Sequence, residues 1–170
     1  MSLLVRMRGL IVVMLMVAAG FSNQTNAASI INLSEDGWHS WRVASVELAV
    51  EETIYVLVNS GKPKEIEIVG EWCNGRWHEQ RKHENVIDLG LLSVDESIDW
   101  LQQHIGARTD LSSDALAAIS RHAGDRSLQI LIDIVESDAH HEIREEAVFW
   151  IAMSEYDKAF DYINGLLMSN

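Results

Sequence analysis

Residues 128–151 read LQILIDIVESDAHHEIREEAVFWI and contain two apolar patterns that are separated by a polar turn. The apolar residues within each pattern fall at helical spacing: Leu128, Leu131, Ile132 and Val135, then Ile143, Ala147 and Ile151. Side chains with this spacing lie on one face of a helix, so each pattern predicts an amphipathic helix. Ser137 and Asp138 between them favour a turn. The stretch therefore predicts a helical hairpin.

The same pattern recurs along the C-terminal half of the chain. A shift of 32 residues aligns 114–119 with 146–151, and a shift of 31 aligns 128–135 with 159–166. Helix pairs that recur at such a period are typical of an α-solenoid, in which each pair covers its apolar stripe with its neighbours. We therefore expect about five helices within residues 93–170.

Residues 137–150 resemble the inter-helix turn and the following helix of a HEAT repeat. Asp138 and Arg144 keep the six-residue separation of the aspartate and arginine ladder of that family. HEAT repeats usually carry a proline at the start of this helix, where this chain has His140 and His141. The resemblance implies that Arg144 pairs with a carboxylate or carbonyl of an inter-helix turn, with Asp138 as the nearest candidate.

The HEAT resemblance covers about residues 111–170 well and residues 93–106 weakly. The whole chain is similar in layout to exported bacterial HEAT-repeat proteins that have a strand-rich N-terminal region. The resemblance implies a non-catalytic adaptor or scaffold that binds another protein. Under this alignment Arg144 belongs to the ladder, and we expect Arg121 to contribute little to stability.

Residues 37–90 have the pattern of a small antiparallel sheet. Apolar and polar residues alternate in several runs between Trp38 and Val69, which is the period of half-buried strands. Residues 59–62 read NSGK and predict a hairpin turn. Pro63 starts the next run, where a missing hydrogen-bond donor is tolerated.

The chain changes from strand-like to helical patterns near residue 92. Ser93 and Glu96 have the spacing of a capping box, which predicts the start of the first helix. We therefore predict an α+β protein with a strand-rich region at 28–92 and HEAT-like helical repeats at 93–170.

Residues 1–27 have the order of a secretory signal peptide. Their apolar run, residues 9–21, is shorter than the roughly 20 residues that a membrane-spanning helix needs. Small residues precede a predicted cleavage after Ala27, which would send the mature protein to the periplasm. An uncleaved anchor is the alternative.

The charge of the chain excludes some partners. The full sequence has a formal net charge of −13, and cleavage would leave 11 basic and 26 acidic residues, or −15 over 143 residues. Such a chain repels phosphate backbones, so nucleic acid is not an expected partner. Anionic membrane surfaces are disfavoured for the same reason.

Cys73, His78 and His83 form the strongest ligand pattern in the sequence. They lie in a polar segment that the sequence predicts to be loop-like, and a thiolate with two imidazoles suits zinc or copper. Their spacing matches no standard site, and a lone cysteine is also compatible with packing. The favoured interpretation has no cofactor, and a metal- or thiol-binding protein that uses these three residues is the alternative.

Catalytic motifs are weak in this sequence. His141 and Glu142 resemble the start of a zinc-protease helix, but position 145 is Glu instead of the second His. No recognisable nucleophile elbow or glycine-rich phosphate loop occurs. We therefore expect a protein that is not an enzyme.

The tryptophans allow one more binding hypothesis. Four of them lie in the strand-rich region: Trp38, Trp41, Trp72 and Trp77. Such rings could stack on a sugar or a peptide, or they could close a small core.

The last predicted helix carries apolar residues on more than one face. Phe160 and Met168, with Tyr156 beside them, are predicted to bind another protein or a second copy of the chain. The alternative is that the last helix frays or that the aromatic ring of Phe160 folds inward.

The signal-peptide pattern predicts how the chain is processed. We expect the protein recovered from a Gram-negative host to begin at Ala28 and to fractionate with soluble periplasmic proteins, because the apolar run is too short to hold it in the bilayer. N-terminal sequencing and cell fractionation measure this. An intact chain that starts at Met1 in the membrane fraction would contradict it.

Overall fold

The computed structural model describes residues 31, 33–46, 50–81, 84–106, 109–156 and 158–168, and for residues 71–74 only the backbone. The predicted signal peptide, residues 1–27, lies outside these ranges. The described residues form four strands and six helices, an α+β fold as the sequence predicted.

The described strands form one mixed sheet. They are β1 (Gly37–Ala44), β2 (Glu51–Asn59), β3 (Lys62–Gly70) and β4 (Val86–Leu91). Their order across the sheet is β3-β2-β1-β4. The pairs β1–β2 and β2–β3 are antiparallel, but β4 runs parallel to β1. The prediction of a purely antiparallel sheet over residues 37–90 was therefore wrong for its last strand.

A helix that the sequence did not predict accounts for the parallel pair. Helix α1 (Glu71–Gln80) follows β3 and precedes β4, where the sequence predicted a polar loop. Parallel strands require a crossover connection, and α1 provides it while contacting β2 and β3. Gly75 within the helix costs about 1 kcal/mol relative to alanine, which weakens the local helical signal. The Trp77 ring stacks on Tyr55 at 3.5 Å between centroids, so tertiary packing stabilises a weak helix.

The predicted hairpin turn between β2 and β3 is confirmed. Ser60 and Gly61 both have positive φ, 55° and 66°, as a two-residue hairpin turn requires. The Gly61 N–H donates to Asp36 Oδ1 at 3.0 Å, so the turn is fixed to the segment that leads into β1.

The five predicted C-terminal helices are also confirmed. They are α2 (Val94–Gln102), α3 (Asp110–Arg121), α4 (Asp125–Glu136), α5 (His141–Met153) and α6 (Ala159–Met168). The capping box at the start of α2 is present: the Ser93 side chain accepts from the Glu96 N–H, and the Glu96 side chain accepts from the Ser93 N–H. Each of these helices contacts the next along the chain, and α3 also packs on β3.

The sheet and the five C-terminal helices share one hydrophobic core, and Trp77 of α1 belongs to a second cluster. Trp41 and Ile54 from the sheet are fully buried in the same cluster as Leu101 and Leu116 from α2 and α3. Fully burying such a side chain contributes about 1.5–3 kcal/mol. The helical layer therefore supplies the cover that an isolated small sheet would lack.

A charged pair and an antiparallel backbone bridge join the segment after β1 and strand β2 to the end of α3. The Glu52 carboxylate on β2 is 2% exposed and accepts from Arg121, with Nε at 2.8 Å. Residue Ser45 forms an antiparallel bridge with His122, and Ala123 N donates to Ala44 O at 3.0 Å. Arg121 therefore neutralises a buried carboxylate from the other layer, which argues against the expectation that it contributes little to stability.

We predict that Arg121→Ala destabilises the protein by roughly 1.5–3 kcal/mol. The substitution removes charged hydrogen bonds and leaves the buried Glu52 carboxylate without its arginine partner. Urea unfolding of the purified variant measures the change. In a Glu52→Gln background the same substitution should cost clearly less, because the carboxylate no longer needs a partner.

Arg144→Ala is the matched control, since Arg144 is an exposed arginine on α5. It should change the free energy of unfolding by less than about 0.5 kcal/mol. Equal losses in Arg121→Ala and Arg144→Ala would contradict the assignment of the buried pair.

Candidate functional site

Large apolar side chains are exposed mainly at the C-terminal end of the fold. Within the described ranges six of them are exposed, and five lie on the last two helices: Phe149, Met153, Phe160, Leu167 and Met168. Phe160 and Met168 are the most exposed, at 77% and 79%. Phe149 is exposed while its neighbour Trp150 packs against the core, as expected for adjacent positions on a helix.

The number of buried residues falls from helix to helix between α3 and α6. Helix α3 buries six residues, α4 four, α5 three and α6 only Ala159. Seven of the ten residues of α6 are nevertheless apolar or aromatic, and the other three are Asp161, Asn164 and Gly165. Three of these seven, Phe160, Leu167 and Met168, are exposed, and this uncovered apolar surface is the main anomaly of the described fold.

A cleft of about 320 Å³ lies where α5 ends and α6 begins. Its apolar and aromatic walls are Ile151, Ala152, Tyr156, Ala159, Phe160 and Ile163, and its polar members are Ser154 and Glu155. This volume is at the lower end of the range for ligand pockets, which is roughly 300–1,000 Å³. It suits one or two apolar side chains better than a whole metabolite.

Two of the three predicted docking residues line this cleft. Phe160 lies on its wall with the ring mostly in solvent, which excludes the alternative that this ring folds inward. Tyr156 is also on the wall, while Met168 lies at the other end of α6 and is not among the lining residues. Phe160 and Leu167 are seven residues apart and therefore share one face of α6.

The hydroxyl of Tyr156 points into the protein. It lies 2.7 Å from the His122 carbonyl and 3.0 Å from the Ser120 carbonyl, at the C-terminal end of α3. Burial raises the pKa of this hydroxyl to about 12. Carbonyls at a helix end lack intrahelical partners, so Tyr156 satisfies one of them and stabilises the fold at the base of the cleft.

Exposed acidic side chains lie on the last two helices and on the segment between them. The carboxylates of Glu145, Glu155 and Asp161 are exposed and make no hydrogen bond or ion pair with other residues that the structure describes. Lys158 on the same segment is already engaged, since its Nζ contacts Asp125 Oδ2 at 2.5 Å. Glu155 on the cleft wall and Asp161 beside Phe160 therefore carry carboxylates without a charged partner among the described residues.

The predicted ladder residues are not brought together. Asp138 and Arg144 are both exposed, and no hydrogen bond or ion pair joins them in the described part of the chain. The Arg144 N–H donates to His140 O at 3.2 Å as part of the first turn of α5. The charged pair that does connect two layers involves Arg121, which the sequence alignment did not single out.

The predicted metal ligands are only partly placed. Cys73 lies on α1 without a described side chain, and His83 lies outside the described residues. His78 is exposed, and its Nε2 is 3.1 Å from the Tyr55 hydroxyl. Among the residues that the structure describes, no group of three His, Cys, Asp or Glu side chains has the geometry to hold a metal.

The tryptophans of the strand-rich region belong to packed clusters where their side chains are described. Trp38 and Trp77 are 4% and 6% exposed, and Trp41 is fully buried. The Arg81 guanidinium covers the Trp38 ring at 4.6 Å, and it donates to the Glu67 carboxylate. The hypothesis of an open stacking surface was therefore wrong for these three rings. The Trp72 side chain lies outside the described atoms.

A buried serine and histidine pair was not visible in the sequence. His122 Nε2 lies 2.8 Å from Ser97 Oγ, and the Trp41 indole N–H donates to the same oxygen at 2.8 Å. His122 Nδ1 lies 2.7 Å from the Ala118 carbonyl, so it carries the proton and Ser97 donates to Nε2. Both residues are 0% exposed, which closes the pair to any substrate. This arrangement resembles a catalytic pair but connects three elements of the core.

Comparison with protein-family models, curated proteins and solved structures finds no match for this chain. The HEAT resemblance therefore stays a prediction from residues 137–150. Among the described helices, none has the length and apolar character needed to cross a bilayer.

The buried histidine predicts a pH dependence of stability. Burial lowers the pKa of His122 from 6.5 to about 4. The unfolded chain therefore binds this proton at a higher pH than the folded chain. The contribution of neutral His122 to stability is complete above about pH 6.5 and is lost as the pH falls towards 4.

We expect this histidine alone to remove roughly 3 kcal/mol of stability between about pH 6.5 and about pH 4, since one pKa unit corresponds to about 1.4 kcal/mol. Urea unfolding across this range measures it. His122→Gln should flatten that part of the pH profile, whereas His140→Gln on the surface should leave it unchanged. A wild-type slope in His122→Gln would contradict the assignment.

Proposed function

We propose that this protein is a non-catalytic periplasmic adaptor or scaffold that binds another protein through α5 and α6. The single observation that carries the proposal is the exposure of α6, in which seven of ten residues are apolar or aromatic and only Ala159 is buried. Exposed apolar surface of this kind typically marks a contact site in a soluble protein.

The energetic argument concerns Phe160, Leu167 and Met168, which are all more than two-thirds exposed. Transfer of one such side chain from water to an apolar environment is worth about 1.5–3 kcal/mol. A partner that covers all three would recover several kcal/mol of free energy, whereas the isolated chain recovers little of it. Aromatic and methionine side chains are also enriched at the centres of protein interfaces.

The serial packing of the helices supports a HEAT-like reading of this surface. Helices α3 to α6 contact one another in chain order, and burial falls steadily towards α6. In a helical solenoid each layer is covered by the next. We propose that the partner supplies the layer that covers α6.

The proposed location rests on the signal-peptide pattern of residues 1–27. The proposed kind of partner rests on the charge of the chain. The formal net charge of −13 disfavours nucleic acid and anionic lipid, which leaves protein surfaces as the expected partners. Tyr156 keeps a structural role in this proposal, while Phe160 and Leu167 make the contact.

Site-specific photocrosslinking tests the proposal. A benzophenone-bearing phenylalanine analogue at position 160 should form a discrete adduct with another protein in the intact cell envelope. The same residue at Lys64, an exposed position on β3, should form none. Leu167→Asp should abolish the adduct at 160 without loss of helical content, because Leu167 is 71% exposed and lies on the same face.

Equal adducts at 160 and 64 would overturn the proposed surface. An adduct with the mass of two copies of this chain would replace the adaptor function with self-association.

A further inference from the structure

We infer that the partner segment that docks at the α5–α6 cleft is an amphipathic α-helix with an apolar stripe and basic flanks. This inference rests on the proposed function and names the chemistry of its partner. It is carried by three features of the site: the shape of the cleft, the spacing of the apolar residues on α6, and the charges that surround them.

The apolar residues of α6 form a stripe that the apolar stripe of a partner helix can match. Phe160, Ile163 and Leu167 occur at positions i, i+3 and i+7, which lie along one face of α6. A partner helix with the same spacing can align its own stripe with this face, as in helix-in-groove recognition. The cleft of about 320 Å³ beside Phe160 then accepts one large apolar side chain of the partner.

The charges favour a basic partner. Glu155 lines the cleft and Asp161 follows Phe160, and neither makes an ion pair with other described residues. Lys158 is the basic residue between them, and it contacts Asp125. Lysine or arginine residues that flank the partner's apolar stripe would therefore meet unpaired carboxylates.

The same charges disfavour other occupants. A second copy of this chain would bring another formal charge of −13 and the same acidic cleft. Anionic lipid headgroups would be repelled by Glu155 and Asp161. Both remain measurable outcomes of the test.

Designed peptides test the inference directly. The probe is a fluorescent leucine–lysine peptide of about five helical turns, with leucines on one face only. We expect it to bind the purified exported chain. Phe160→Asp should weaken binding by roughly 30-fold, although it adds a negative charge, because it removes the central apolar contact. Fluorescence anisotropy gives the Kd, and circular dichroism checks that the variant is folded.

The charge component has a matched control. Glu155→Gln combined with Asp161→Asn should weaken binding by roughly three- to tenfold at low salt and have little effect at high salt. Glu79→Gln combined with Glu84→Gln removes two exposed acids from the sheet side and should leave the Kd unchanged. A peptide with glutamates in place of the lysines should bind at least tenfold more weakly.

Three results would overturn the inference. They are equal binding of the glutamate peptide, equal effects of the two double variants, and binding that does not depend on Phe160. If photocrosslinking at position 160 succeeds while any of these results is obtained, the proposed docking surface is supported. The inference that its partner is a basic amphipathic helix is then wrong. Sedimentation that shows a dimer lost in Phe160→Asp would identify a second copy as the occupant instead, and binding to anionic vesicles would identify a membrane.

Discussion

A buried chain of hydrogen bonds from Trp41 through Ser97 to His122 connects the sheet with the first two helices of the C-terminal layer. A buried indole N–H and a buried hydroxyl are costly without partners, so each of these side chains requires the others. Because the three residues come from β1, α2 and the end of α3, their pairing sets where the helical layer lies on the sheet. The apolar core then fills the space that this contact defines.

The Glu52 and Arg121 pair repeats this principle at the same end of α3, one residue before His122. A carboxylate that is 2% exposed requires a charged partner, and the end of α3 supplies it. Tyr156 extends the connection, because its hydroxyl contacts the carbonyls of His122 and Ser120. The end of α3 is therefore held by the sheet on one side and by the segment before α6 on the other.

The residues that stabilise the fold and the residues that are proposed to contact a partner lie in different parts of the molecule. Buried polar links and the large core residues concentrate around the sheet, α2 and α3, whereas α6 contributes only Ala159 to the fully buried set. Apolar residues that add little to folding are free to contribute to binding, because changing them leaves the core intact. The base of the cleft is held by Tyr156 and its open wall is formed by Phe160, so the two neighbours serve different purposes.

The sequence by itself determined the features that depend on neighbouring residues: the five C-terminal helices, the Ser93 capping box and the turn at residues 59–62. It also indicated Phe160 as an exposed residue, since α6 has more apolar positions than one buried stripe can use. Only the tertiary structure decided the parallel strand β4 and helix α1, because a glycine-containing helix is held by packing on the sheet. It also decided the polar links of the core, whose partners are 25 to 69 residues apart, so no local pattern records them.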